Sequence, residues 1–276
     1  MDIKCIALDL DGTVLNSEGK LSEKNRTAIE TTIANGIHIV IASGRSYWSL
    51  PKEILSISGI EYAITSNGAA VYHVPTETRL RGYTLTRQSV QEILKKTSDR
   101  TVTYEAFVDG KAYADISYVK DPVRYGASER AAAYVQRTRQ MEEDIVKFIN
   151  THIDELDSID IIVKSEEMKK DIQKLLSEVP DIYITSSVRQ LVEISHRNAG
   201  KKTGLSYVAD RLGIRREETA AFGNADNDID MLCFAGIGVA VADASEGCRK
   251  AADVIVAGHD EDGVGDWIID NMFNTF

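Results

Sequence analysis

The run Ile3-Lys4-Cys5-Ile6-Ala7-Leu8-Asp9-Leu10-Asp11-Gly12-Thr13 decides the fold. Ile3 to Leu8 is short and largely apolar, the pattern of a strand buried on both faces of a parallel sheet. Two carboxylates two positions apart follow it at once. In an open parallel sheet, ligands bind beyond the carboxyl ends of the strands. While the chain stays extended, Asp9 and Asp11 project to one side, and Gly12 then lets the backbone turn away. One carboxylate so placed suits attack on phosphorus, the other proton donation to a leaving oxygen. A polar strand-to-loop junction is the plain alternative.

Outward from this run the chain alternates strand and helix. A helix is expected from about Ser22 to Asn35, closed by Asn35-Gly36, and a second apolar strand from Ile37 to Ala42. Together these form a right-handed βαβ unit. A third strand, Tyr62 to Ser66, stops at Asn67-Gly68. Beyond Gly82 the texture becomes antiparallel: Val102 to Phe107 and Lys111 to Asp115 flank Asp109-Gly110, a strong hairpin signal. Helices at about Met141 to Thr151 and Glu166 to Glu178 and strands at Ile159 to Val163 and Ile182 to Ser186 complete this part. From Leu191 the α/β alternation resumes, with strands Leu191 to Ile194, Thr219 to Phe222 and Ile237 to Val241. Helices are expected at Lys202 to Leu212, at Asp226 to Phe234 and at the end of the chain near Phe273. The fold class expected is therefore α/β, a Rossmann-like parallel sheet split as residues 1–82 and 188–276 around an inserted α+β module at 83–187.

Composition narrows the function classes. The 276 residues carry 43 acidic and 32 basic side chains, a formal charge of -11. A surface of that sign repels phosphate backbones, so nucleic acid is not expected as a partner. The opening residues carry acids within a short apolar run, unlike a signal peptide or a membrane span, and Cys5, Cys233 and Cys248 lack metal or redox spacing. The expectation is a cytoplasmic protein with no membrane partner. No length of the sequence speaks to oligomeric state. The five histidines form no ligand pattern, no G-x-S-x-G elbow occurs, and Gly236 to Val241 lacks the third glycine of a dinucleotide loop.

The D-x-D-G-T run after an N-terminal strand resembles the first motif of the haloacid dehalogenase superfamily, and three further segments match in order. Ser43, in Ile41-Ala42-Ser43-Gly44-Arg45-Ser46, is similar to the hydroxyl that binds the transferring phosphoryl group, though a helix N-cap would use the same residue. Lys201, with Leu205 four residues on, resembles the lysine that neutralises phosphate and nucleophile. A cation at a helix start is disfavoured by the helix dipole, which argues for a functional reason. Gly223-Asn224-Ala225-Asp226-Asn227-Asp228 resembles the fourth motif, with Asn224 where an aspartate is usual. An amide oxygen still ligates magnesium. The lost charge is on the order of 4 kcal/mol gross at ~4 Å and an effective dielectric of ~20, partly offset by cheaper desolvation.

The resemblance implies a magnesium-dependent phosphatase. Asp9 would be the nucleophile and Asp11 the acid and base. Mg2+ would be held by Asp9, the Asp11 carbonyl and Asn224, with Asp228 at the metal, its waters or Lys201. Ser43, Gly44 and Lys201, with backbone groups of Leu10, Gly12 and Thr13, would bind phosphate. The insertion resembles the large α/β cap of the Cof-like subfamily, which implies a small phosphorylated metabolite, such as a sugar phosphate, as substrate. Asn67 and Gly68 match a substrate-proximal pair in that subfamily, and a type I′ turn explains them equally. Arg45 either reaches the substrate or pairs with an acid. Two further readings stay open: a phosphosugar mutase using the same intermediate, and a sugar-phosphate-binding regulator whose metal site Asn224 has weakened.

Overall fold

A computed structural model describes residues 2–273. The chain divides into two units: the first runs up to Gly44, resumes over Leu50–Arg81 and again from Gly200, and the second comprises Arg45–Ser49 and Gly82–Ala199. In chain order the strands are β1 (Cys5–Leu8), β2 (His38–Ala42), β3 (Tyr62–Thr65), β4 (Ala70–His73), β5 (Thr78–Gly82), β6 (Thr103–Val108) and β7 (Lys111–Asp115). They continue with β8 (Arg139–Glu142), β9 (Leu156–Ile162), β10 (Ile182–Thr185), β11 (Leu191–His196), β12 (Thr219–Gly223), β13 (Ile237–Val241) and β14 (Val254–Val256).

The first unit is built on a sheet of order β14-β13-β12-β1-β2-β3-β4-β5. From β14 to β3 all pairs are parallel, and β4 turns back antiparallel on β3. The helix Glu23–Ala34 is capped as its sequence indicates: the Ser22 side chain accepts from the Asn25 N–H at 3.0 Å, and Gly36 takes φ 78° just beyond it. Asn25 is also buried inside the fold. Its side chain donates to the Val14 carbonyl and accepts from the Gly265 N–H, joining the loop after Thr13 to the final helix, Gly263–Met272.

The second unit has a sheet of order β10-β11-β9-β6-β7-β8, antiparallel except for the β7–β8 pair. Asp109 and Gly110, at φ 49° and 71°, form the turn of the β6–β7 hairpin, as their sequence signal requires. One face of this sheet packs Tyr104, Ala106, Ile159, Ile161, Val192 and Ile194 into an apolar core.

Three sequence expectations need correction. The segment read as a core strand, Leu191 to Ile194, is β11 and lies between β10 and β9. Its alternation of Val192 and Ile194 with Glu193 and Ser195 is the signature of an antiparallel strand, not of a parallel one buried on both faces. The second unit accordingly runs to Ala199 instead of ending at 187, and it also takes in Arg45–Ser49. The helix expected from Met141 starts only at Ile145, capped by Asp144, because Arg139–Glu142 pairs with β7. The third strand does stop before Asn67-Gly68, as expected, and Ser66–Ala69 then connect β3 to β4, with Thr65 paired to Ala70.

Candidate active site

Parallel pairing brings several segments to one sheet edge. Leu8 is in register with Ile41 of β2 and with Phe222 of β12. Asp9, Ser43 and Asn224 therefore follow the carboxyl ends of three adjacent strands, and Asn67 follows that of β3. The site residues of the first, second and fourth motifs are thus gathered by topology alone.

Lys201 stands at the start of the helix Lys201–Leu212. That helix lies close on β3, because a Cβ added to Gly204 would fall 2.5 Å from a methyl of Ile64. The lysine is fully buried. Its Nζ donates to Asp9 Oδ1 at 2.7 Å and to Asp228 Oδ1 at 2.6 Å. Thr13 Oγ1 donates to the other Asp9 oxygen at 2.7 Å, so both oxygens of the carboxylate are held and its rotation is fixed. Asp228 is fixed in turn by the backbone N–H groups of Asn224 and Ala225, which donate to its Oδ2 at 2.9 and 3.0 Å.

Electrostatics follow from this crowding. Burial, and next the charge of Asp228, push the Asp9 carboxyl up to about 7, against the opposing pull of Lys201 and Thr13. The two carboxylates outweigh burial at Lys201 and raise its ammonium above the ordinary range. When all three are ionised, two anions and one cation leave a buried net charge of one negative. Such a centre is completed by further positive charge.

Asp11 is exposed, and the chain turns directly after it with Gly12 at φ 75°. A Cβ at Gly12 would lie 2.3 Å from the Asn224 amide, so the two are packed against each other. Asp9, the Asp11 carbonyl and Asn224 offer a carboxylate, a main-chain oxygen and an amide that can present its oxygen by turning about its last bond. All are hard oxygen donors, and they fit Mg2+. No cluster of three or more His, Cys, Asp or Glu side chains suited to a metal occurs among the described residues. This donor set contains only one such ligating side chain, Asp9. Asp228 has both oxygens engaged by Lys201 and backbone N–H groups, which favours its action through Lys201.

The remaining expectations resolve unevenly. Ser43 is buried, its N–H donating to the Ile64 carbonyl and its own carbonyl accepting from the Asn67 N–H. Leu10 has a buried side chain, and its carbonyl accepts from Thr13 and Leu15, so only its backbone can serve a phosphate. Gly44 ends the first segment of the first unit. Asn67 sits at φ 52° and its carbonyl accepts from the Gly200 N–H. Gly68, at φ 85°, approaches so closely that a Cβ would fall 2.0 Å from the Gly200 carbonyl oxygen. The pair forms part of a four-residue connection, so a two-residue type I′ turn does not account for it. Arg45 belongs to the second unit, where its guanidinium stands 4.4 Å from the centre of the Tyr134 ring.

Two positioning residues escaped the sequence reading. Asn227 Nδ2 donates to Asn67 Oδ1 at 2.9 Å in a buried bond, and its place next to Asp228 in the fourth motif was the available signal. Asp230, one helical step further, lies against Gly200, where a Cβ would meet its Oδ2 at 2.7 Å. Nothing in the sequence marks that contact.

A family model described as haloacid dehalogenase-like hydrolase matches residues 6–268. The chain belongs to that family. Similar proteins include phosphatase YwpJ of Bacillus subtilis, 28% identical over 95% of this chain and 97% of that one. Another is 5-amino-6-(5-phospho-D-ribitylamino)uracil phosphatase YwtE of Bacillus subtilis, 26% identical over 99% of each chain. Among solved structures, a haloacid dehalogenase-like hydrolase from B. subtilis superposes with a TM-score of 0.83 at 28% identity, covering 96% of this chain and 99% of that one. The hydrolase therefore shares its α/β core and its second unit with these relatives along nearly the whole chain. No helix among its described residues is long and apolar enough to cross a membrane.

Proposed function

We propose that this hydrolase removes phosphate from a phosphorylated small metabolite through a covalent aspartyl phosphate on Asp9, with Mg2+ bound. The observation that carries the reading is the buried Asp9 carboxylate at the end of β1, gripped on one oxygen by Lys201 and on the other by Thr13. Phosphatase names among the relatives support it, including one whose named substrate bears a phosphoribityl group.

Asp9 attacks phosphorus in line, and the bond to the leaving oxygen breaks as Asp11 gives that oxygen its proton. Asp11 then takes a proton from water, which attacks the acyl phosphate, releases inorganic phosphate and restores Asp9. Lys201, the Ser43 hydroxyl and nearby backbone N–H groups, those of Leu10, Gly12 and Gly44 among them, stabilise charge on the equatorial oxygens, where most catalysis of phosphoryl transfer arises. Asp228 keeps Lys201 charged and aimed. Mg2+, held by Asp9, the Asp11 carbonyl and Asn224, would supply charge neutralisation at the transferring group.

The test is a chemical trap. Brief reaction with a radiolabelled phosphate ester, followed by acid quench, should leave label on the parent protein and none on Asp9→Asn, whose turnover should fall by at least about a thousandfold. Turnover should vanish with EDTA and return with magnesium. Equal labelling of both proteins would remove Asp9 from the role. Release of inorganic phosphate without an added acceptor separates the hydrolase from a mutase.

A further inference from the structure

The second unit contains a cavity of about 350 Å³ that the reaction above does not use. Its walls come from three separate segments: residues 101–103 leading into β6, then Asp115, Ser117, Arg124 and Tyr125 from the stretch that begins at the end of β7, and Lys164 just past β9. Register brings these segments together, since Thr103 of β6 is opposite Ile162 of β9. The chain enters and leaves the unit at the other end of that sheet, where the Leu85 N–H donates to the Leu156 carbonyl and β11 runs out past Ser195, opposite Ser158. Every lining residue belongs to the second unit, and none is among those proposed for the chemistry.

The charge of this cavity runs against that of the chain. The whole sequence carries a formal -11, whereas the charged groups lining the cavity are the two cations Arg124 and Lys164 and the single carboxylate Asp115. Exposed cations elsewhere in the same unit, Arg87, Arg189 and Arg197 among them, each meet a carboxylate. Among the described residues, neither Arg124 nor Lys164 has an ion-pair partner. Asp115 is turned to its own helix: its Oδ1 accepts from the Ser117 N–H at 2.8 Å and from the Ser117 hydroxyl, capping Ile116–Lys120. Tyr125 makes a fixed wall, with its hydroxyl 2.8 Å from Ser117 Oγ and its ring edge-on to buried Tyr118 at 5.5 Å. Lys164 Nζ stands 6.0 Å from the centre of that ring, within cation–π range. A guanidinium presents a fork of donors matched to a phosphate or carboxylate, and an ammonium adds a point charge. Two cations without partners in a concavity that also offers an aromatic wall and hydroxyls suit an anion with a small organic body.

We propose that this cavity binds a small organic oxyanion, a phosphorylated or carboxylated metabolite, through Arg124 and Lys164, with its body against the Tyr125 ring. The proposal is independent of the phosphatase reading. The ligand is held there and not turned over, and by joining three chain segments it stabilises the second unit by mass action.

The experiment is calorimetric titration of the full chain in EDTA with methylenediphosphonate, whose carbon bridge prevents hydrolysis, and with malonate. The proteins compared are the parent, Arg124→Gln, Lys164→Gln and, as a control, Lys120→Gln, which removes a cation of the same unit that does not line the cavity. All three side chains are exposed, so the variants keep the fold. The expected result is saturable binding of at least one probe that weakens at least about fivefold in both Arg124→Gln and Lys164→Gln and less than about twofold in Lys120→Gln. The tighter probe then tells phosphate from carboxylate as the preferred group. Absence of binding to the parent up to roughly 10 mM, or a smaller loss in either cavity variant, overturns the proposal. An equal loss in Lys120→Gln does so too, because it reduces the attraction to the general field of the unit.

Discussion

In the proposed metal site Asn224 puts a neutral ligand where an anionic one is usual, beside a buried centre that carries one net negative charge when Asp9, Asp228 and Lys201 are all ionised. Restoring the carboxylate adds attraction for a divalent ion and only part of it is lost to desolvation. Asn224→Asp should lower the magnesium concentration for half-maximal turnover by about tenfold. A magnesium titration of both proteins checks it. Asp9 carries a second expectation, in stability. Its carboxyl is raised from 3.8 to about 7, so the stability tied to its neutral form is fully present below about pH 4 and lost as pH rises through 7. Metal-free Asp9→Asn should thus melt above the parent at pH 8 and gain much less at pH 4, as thermal unfolding at the two pH values would show. The residues proposed for the chemistry could be picked out because each lies inside a short contiguous motif: Asp9, Asp11, Lys201 and Asn224. Asn227 and Asp230 were not, since what they do depends on Asn67 and Gly200, segments more than a hundred and about thirty residues away that only the fold brings near.

Elements position these residues by close approach. The helix that delivers Lys201 reaches β3 because Gly204 has no side chain, and a Cβ there would press on Ile64 at 2.5 Å. Gly204→Val should cost about 1–3 kcal/mol in denaturant unfolding and lower turnover besides, by shifting Lys201. The parallel strands of the first unit could be read from their continuous apolar runs, and the helix Glu23–Ala34 from its caps. β11 was misassigned because its four-residue core, Leu191 to Ile194, taken without Ser195 looks like a short buried strand, although Glu193 breaks the apolar run. β5 and β8 left little trace: neither has a fully buried residue, so no burial pattern was imposed on their sequences.

Each unit has a core of its own, and the two tryptophans divide between them: Trp267 packs edge-on to Phe222 at 5.3 Å in the first, while the Trp48 N–H donates to the Gly110 carbonyl in the second. Fluorescence of single-tryptophan variants therefore reports each unit separately. Arg139→Leu strips the cation from fully buried Glu105, and the Trp48-reported transition should lose about 3–5 kcal/mol in urea. An unchanged midpoint would mean that the Arg139–Glu105 pair does not stabilise the second unit.

The five residues Arg45–Ser49 have a consequence for anyone exchanging the second unit between homologues. The chain passes from one unit to the other four times, and a transplant of residues 82–199 alone would abandon both Arg45 at the Tyr134 ring and Trp48 at the Gly110 turn. A chimera that keeps the second unit's own contacts intact must therefore exchange two stretches of gene, the smaller only five codons long.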